Sequence, residues 1–313
     1  VKGSREPLLI VGALPRGGNH LLRGLLDHHP QLLLPPDEDY FVRNLLRSPF
    51  WRVQGWLTQP AHAPAFHRKL QKDGHLERVN AGSAKNSSGT EHTIDLDRYY
   101  AHVREHHARF SLDGMIRTHF EALAAALEHQ QPGPDRIKVF FCALQSDKLD
   151  IVLLGRRLSR LYDPRAIFVI RDPRAHFGSK RGRKPDYGLR MFCWRQNLYW
   201  RQVERFARDF GPVLRVRFEA LVLDTERTMR EVCAFAGIPF SDVAVRFTQA
   251  GNPTVSNSSY TNVQGIDPAV LGRYREKLGP KELRFIEEHC RPEMFWPETG
   301  PRPAAVEELR TGA

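Results

Sequence analysis

The chain of 313 residues is poor in the features that staple or metallate a fold. Its four cysteines, Cys142, Cys193, Cys233 and Cys290, lie far apart and form no Cys-x-x-Cys pair. That excludes a disulfide framework or zinc ribbon and predicts buried thiols in a reducing compartment. No apolar run reaches the length of a membrane span, and the first one, Leu8–Leu14, leads straight into a charged turn. Neither a membrane-spanning helix nor a signal peptide is therefore predicted, and a cytoplasmic location is expected. His62, His67, His75, His92, His102, His106 and His107 match no zinc spacing and are expected at the surface. No basic tail and no DNA- or RNA-reading motif is present, so nucleic acid is not an expected partner. A net charge of +11 still calls for an anionic one. No internal repeat is found.

The nucleotide motifs that are missing are equally informative. Gly12 and Gly17 have the spacing of a Walker A loop, but Gly18 stands where its Lys belongs and Asn19 where its Ser or Thr belongs. The groups for β/γ-phosphates and for Mg²⁺ are absent, which argues against ATP chemistry. A G-x-G-x-x-G dinucleotide turn is absent too.

What is present is the stretch Leu8–Phe41. An apolar strand, Leu8–Leu14, runs into the turn Pro15-Arg16-Gly17-Gly18, whose two glycines permit backbone conformations closed to a Cβ. Asn19 can cap a helix with Leu21, Leu22, Leu25 and Leu26 on one face, and Pro30 is expected to end it. A second apolar run, Leu32–Leu34, delivers Pro36-Asp37-Glu38. Strand, glycine turn, helix, strand is half of a nucleotide-binding α/β unit, and the N–H groups at such a turn suit a phosphate or sulfate.

Further along, a short amphipathic segment starts at Tyr40. Residues 49–95 are poorly periodic, and the polar tract Asn80–Thr93 reads as a loop. Helices are predicted over Leu96–Phe110 and Gly114–Gln130. Strand, helix, strand follows at Ile137–Cys142, Asp147–Leu161 and Arg165–Ile170, a pattern of buried parallel strands with helical crossovers. Arg171-Asp172-Pro173-Arg174 stands at the carboxyl end of the last strand, the edge where open α/β sheets bind ligands. A helix (Met191–Phe210), a strand (Val213–Phe218) and a helix (Thr225–Ala236) complete the core. The tail holds a turn-rich segment, Gly251–Gly265, and helical patches around Arg273 and Leu283. Trp194 and Trp200 are expected to pack in the core.

These motifs resemble those of sulfotransferases that use 3′-phosphoadenosine 5′-phosphosulfate, in the bacterial and tyrosylprotein-sulfotransferase-like branch. The family's PRSGTT-like loop is matched by Pro15–His20, its LLxxLLDxHP-like helix by Leu21–Pro30, and its PPE-like strand end by Pro35-Pro36-Asp37. The Arg-Asp-Pro-Arg turn with a Ser eight residues past the first Arg appears as Arg171 and Ser179. Phe218–Phe240 is similar to the YEDL-containing stretch and its helix. Gly17, Asn19 and His20 replace family hydroxyl residues, and Phe218 replaces a common Tyr.

The resemblance implies an α/β fold, a P-loop-like parallel sheet flanked by helices. It implies one domain over 1–313, with a core of 7–48 and 136–240. Residues 49–135 would form a helical, loop-rich insertion on the acceptor side, and 241–313 would cover the nucleotide. It implies a metal-independent, in-line transfer of a sulfuryl group to a hydroxyl acceptor, a small molecule, carbohydrate or lipid, with adenosine 3′,5′-bisphosphate as product. Arg16 would stabilise the leaving phosphate, with His20 as auxiliary donor. Asp37, or else Glu38, would be the general base. Gly17, Gly18, Asn19, His20 and Phe218 would line the 5′-phosphosulfate site. Arg171 and Ser179 would clamp the 3′-phosphate, with Arg273 as a further phosphate contact. Asp37 and Glu38 could instead merely cap the helix from Tyr40, and Arg171 could pair with Asp172. A P-loop kinase or hydrolase, and a non-catalytic binder of nucleotide or sulfated polysaccharide, are the alternatives.

Overall fold

The computed structural model describes residues 5–47, 61–81, 94–106, 111–127, 136–144, 148–249, 251–253, 265–297 and 304–309. Strand β1 (Pro7–Ala13) is its centre, pairing in parallel with β3 (Ile137–Ala143) on one side and β4 (Asp163–Ile170) on the other. With β2 (Leu32–Leu33), β5 (Val213–Arg217) and β8 (Val306–Leu309) they form one sheet of order β2-β3-β1-β4-β5-β8. Only β8 runs antiparallel, along the outer edge of β5. A two-residue hairpin, β6 (Thr248–Gln249) with β7 (Asn252–Pro253), lies apart.

Continuous apolar strands predict burial on both faces, and both faces are covered. Leu8 and Ile10 of β1, with Phe140 and Phe168, point into one core. Leu9, Val11 and Ala13, with Phe141 and Ile167, point into the other. The second core is closed by α1 (Asn19–Leu26), α10 (Phe218–Leu223) and α11 (Thr225–Ala236). The first is closed by α2 (Tyr40–Arg47), α7 (Asp150–Leu158) and α9 (Leu189–Asp209), together with the inserted helices. Those are α3 (Ala63–Leu70), α4 (His75–Asn80), α5 (Leu96–Glu105) and α6 (Leu112–Ala126). Helices α3–α6 thus share the main core. Helices α3 and α4 are eight and six residues long, too short for periodicity to reveal. Helix α8 (Pro173–Arg181) follows β4, and α12 (Pro280–His289) packs with it in a third apolar cluster.

Several expectations need correction. Asn19 does not cap α1; it is the first helical residue, and Gly18 precedes it in the left-handed region with φ 104°. The other left-handed residue of the turn is Arg16, φ 76°, and Gly17 owes its place to crowding. A Cβ there would sit 2.8 Å from the Leu14 carbonyl oxygen. Helix α1 leaves the helical path at Asp27, before Pro30, because Asp27 Oδ2 accepts bonds from Thr248 (2.9 Å) and the Gly251 N–H (2.8 Å). Phe218 opens α10 rather than ending β5. Trp200 is buried, whereas Trp194 is 47% exposed. His67 and His75 are buried, not superficial. The four cysteines are free and buried, as expected. Among the described residues no helix is long and apolar enough to cross a membrane. His92, His107, residues 82–93 of the polar tract and 254–264 of the turn-rich segment lie outside the described residues.

Two left-handed glycines separate strain from crowding. A Cβ on Gly18 would lie 2.3 Å from the Phe218 ring, whereas one on Gly237 (φ 75°) would meet Arg165 at an ordinary 3.4 Å. Gly237→Ala should cost about 1–2 kcal/mol, the left-handed penalty alone. Gly18→Ala should cost roughly 2–5 kcal/mol, overpacking being added to that penalty. Urea unfolding of both variants checks this; equal losses would show that Phe218 yields freely.

Candidate active site

The turn after β1 and the turn after β4 meet, because parallel neighbours end at the same sheet edge. Gly17 N–H closes the first turn on the Leu14 carbonyl at 2.7 Å. Arg171 donates from its guanidinium to the Arg16 carbonyl at 3.1 Å, and Arg16 Nε donates to Ser179 Oγ at 3.3 Å. The Arg171 guanidinium lies 4.3 Å from the centre of the Phe218 ring, which in turn packs on Gly18. Arg16, Gly17, Gly18, Arg171, Ser179 and Phe218 are therefore neighbours. Arg171 does not pair with Asp172; Arg174 takes that carboxylate at 2.8 Å. Arg273 donates to Asp267 at 2.7 Å, on a short helical turn packed against α8.

His176 fastens the arrangement from below. Its Nε2–H donates to the Pro15 carbonyl at 3.0 Å, and its Nδ1 accepts from the Gln196 amide at 2.9 Å. Burial pushes its pKa down to about 3, and this neutral tautomer satisfies both bonds.

Helix α1 begins without a side-chain cap and without an acidic residue in its first turn. The Asn19 side chain is buried, and its Nδ2 has no hydrogen-bond partner among the described residues. An orphan donor at an uncapped helix start, beside Arg16, is the complement of an oxyanion. His20 is next. Burial, then Arg23 and Arg16, push its pKa down to about 3. A quarter of that side chain stays exposed. Its Nε2 lies 3.9 Å from Glu38, and a neutral ring makes no ion pair there.

The two acidic candidates sit between β2 and α2. Asp37 Oδ1 accepts from the Glu38 N–H at 2.7 Å, while Oδ2 is buried with no hydrogen-bond partner among the described residues. His75 stands 3.9 Å from that oxygen, and burial, with Arg78 and Lys72, pushes its pKa down to about 4. Burial pushes Asp37 up to about 6, Arg23 opposing and Glu38 reinforcing the rise. Arg23 also donates to the Pro35 carbonyl at 3.3 Å, tying α1 to this loop.

Neither acid caps α2. That is done by Asp39, whose Oδ1 accepts from Val42 N–H at 3.0 Å and whose own N–H donates to Phe141 at 2.8 Å. Asp39 Oδ2 is 3.3 Å from His119 Nε2, His119 Nδ1 is 2.7 Å from the Tyr99 hydroxyl, and that hydroxyl is 3.3 Å from His67. Phe41 stacks between the His67 and His119 rings at 4.3 and 4.5 Å. This buried chain anchors the loop carrying Asp37 to α2, α3, α5 and α6. Sequence reasoning missed it, since the partners lie far apart in the chain. The available signal was a histidine, His119, on the apolar face of a helix with Ile116 and Phe120.

A sequence profile described as "Sulfotransferase family" matches residues 7–242. The chain belongs to the sulfotransferase family. No curated protein matches it. Among solved structures it is similar to the sulfotransferase domain of the Synechococcus PCC 7002 olefin synthase, with 18% identity and a TM-score of 0.53. That match covers 92% of this chain and 96% of the other. It is likewise similar to the sulfotransferase domain from the curacin biosynthetic pathway, at 14% identity and a TM-score of 0.56. There 91% of this chain and 98% of the other are covered. These likenesses agree with the α/β fold of a mostly parallel sheet between helices.

Glu219, next to Phe218, also escaped the sequence. It is 2% exposed and accepts from the Asp172 N–H at 2.9 Å. Burial, then the like charge of Asp172, pushes its pKa from 4.5 up to about 7. The folded state therefore holds a proton that the unfolded state releases, and stability falls as pH rises between those two values. Glu219→Gln should stabilise the protein at pH 8 by roughly 1–3 kcal/mol. The gain should vanish below about pH 4.5, where both states of the wild type are protonated. Urea midpoints across that range check this; a gain that persists at low pH would contradict it.

Proposed function

We propose that this sulfotransferase moves a sulfuryl group from 3′-phosphoadenosine 5′-phosphosulfate to a hydroxyl acceptor. The observation that carries the reading is the convergence of Arg16, Arg171 and Ser179, residues from two distant segments, on one loop. The uncapped start of α1 and the orphan Asn19 amide support it. The same loop lacks the Lys and Ser/Thr that a Mg-nucleotide site uses.

When bound, the nucleotide would supply the sulfuryl group, and its 5′-phosphate would be the leaving group, remaining on the adenosine 3′,5′-bisphosphate as the bond from sulfur to its oxygen breaks and one to the acceptor oxygen forms. Arg16, always protonated, would meet the negative charge that develops on that phosphate. Gly17 and Gly18 shape the turn that starts α1, and the Asn19 amide and the His20 N–H would add neutral donors. Held neutral, His20 can donate a hydrogen bond but carries no spare proton. Arg171 and Ser179 would grip the 3′-phosphate; the Ser179 hydroxyl accepts from Arg16 and keeps its own proton to donate. Phe218 holds the Arg171 guanidinium from one face, and Arg273 is the remaining candidate phosphate contact.

Asp37 is the proposed general base. A carboxylate raised to about 6 is ionised at neutral pH yet more basic than a surface acid, and its buried Oδ2 has an unused lone pair. Glu38 is the second choice.

Arg16→Ala and Arg171→Ala should each lower kcat/KM by about 10²–10³-fold or more. Calorimetry with adenosine 3′,5′-bisphosphate should show the matching loss of affinity in Arg171→Ala. Wild-type behaviour in both variants rejects the reading, and nucleotide binding without transfer to any hydroxyl would make the protein a binder. The transfer rate should fall as pH drops through about 6, since protonated Asp37 accepts nothing. Asp37→Asn should abolish transfer while Glu38→Gln retains it; the reverse pattern would move the base to Glu38.

A further inference from the structure

Beside the donor loop, on the side away from α1, opens a cavity of about 440 Å³, within the range of small-molecule sites. Leu14 and Pro15 form its wall, so it shares the segment that leads into Arg16. Lys148, Lys180, Lys184 and Arg195 also line it, and among the described residues no carboxylate does. The one histidine there, His176, is held neutral and bound to Pro15.

Two of the cations lie against an aromatic residue. Arg195 donates to the Tyr187 hydroxyl at 2.7 Å, and Lys180 Nζ lies 4.9 Å from the centre of the Tyr187 ring. Lys148 and Lys184 are exposed at the rim. Like charges brought together in a concave site repel one another and focus a positive potential into it. Their side chains are long and could diverge into solvent elsewhere; here four of them border one opening.

Resting on the sulfuryl-transfer reading, we propose that this cavity receives an acceptor bearing an oxyanion, a phosphate or carboxylate, in addition to its hydroxyl. Tyr187 and Phe192 offer apolar surface to its body, and the lysines meet its charge. The same oxyanion chemistry could come from the nucleotide's own phosphates, so the test separates the two sources.

Phenyl phosphate and phenol are a matched pair for direct binding to the full chain. Wild type should bind phenyl phosphate at least tenfold more tightly than phenol, with the preference weakening as salt rises. The double variant Lys148→Gln/Lys184→Gln should lose that preference about tenfold while its affinity for adenosine 3′,5′-bisphosphate changes less than twofold. Both lysines are exposed, and an unchanged Tm shows that the variant is folded. Equal binding of the pair by wild type overturns the proposal. So does loss of phenyl phosphate binding in Arg171→Ala but not in the lysine variant, which would place the anion in the donor loop. A parallel loss of the bisphosphate in the lysine variant overturns it too, since the cavity would then hold the nucleotide. Failure of wild type to bind the bisphosphate refutes the transfer reading instead, and leaves the phenyl phosphate comparison to decide the cavity by itself.

Discussion

The guanidinium of Arg171 donates to the backbone carbonyl of Arg16, and the two turns at the carboxyl edge of β1 and β4 meet at that bond. It requires β1 and β4 to lie side by side in register, Val11 opposite Ile167, so that both chains leave the sheet together. It also requires Arg16 to sit in the left-handed region, which costs about 1–2 kcal/mol for a residue with a Cβ. Bonds formed around this turn offset the cost. Gly17 closes the turn on Leu14, His176 holds Pro15, and Ser179 receives the Arg16 side chain.

The acidic side of the site follows the opposite logic. Asp37 is kept in place by its neighbour, not by its own contacts. Asp39 spends every polar atom on structure: its N–H on β3, one oxygen on the start of α2, the other on His119. Asp37 is thereby fixed in a buried position with one oxygen unused. Burial without full compensation is what raises its pKa, and the same arithmetic applies to Glu219. Both groups lower stability at neutral pH.

The inserted helices do more than cover a face. α3, α5 and α6 supply His67, Tyr99 and His119, so the segment least readable in sequence supports the carboxylate loop from behind. The long α9 reaches the turn after β1 from its other side, where Gln196 donates to His176 and Arg195 borders the cationic cavity. The site is therefore assembled from both ends of the sheet edge.

Local pattern alone determined much of this. Near-continuous apolar runs marked β1, β3 and β4, because strands buried on both faces leave little room for polar alternation. The glycine turn followed by a leucine-rich helix marked the end of β1 and the start of α1, and the Arg171 turn was legible by its place after a strand. Tertiary structure decided the rest, for reasons of distance and size. That Gly17 is dictated by the Leu14 carbonyl and that Asp39 rather than Asp37 caps α2 depend on the exact path of the backbone over three residues, and that His119 is buried against Asp39 depends on residues brought together from far along the chain. The four-residue β8 carries too little pattern to be seen until β5 offers it an edge. Ionisation, too, is a property of the fold: a carboxyl group has one pKa in solution, and only the packing around Asp37 and Glu219 moves it toward neutrality.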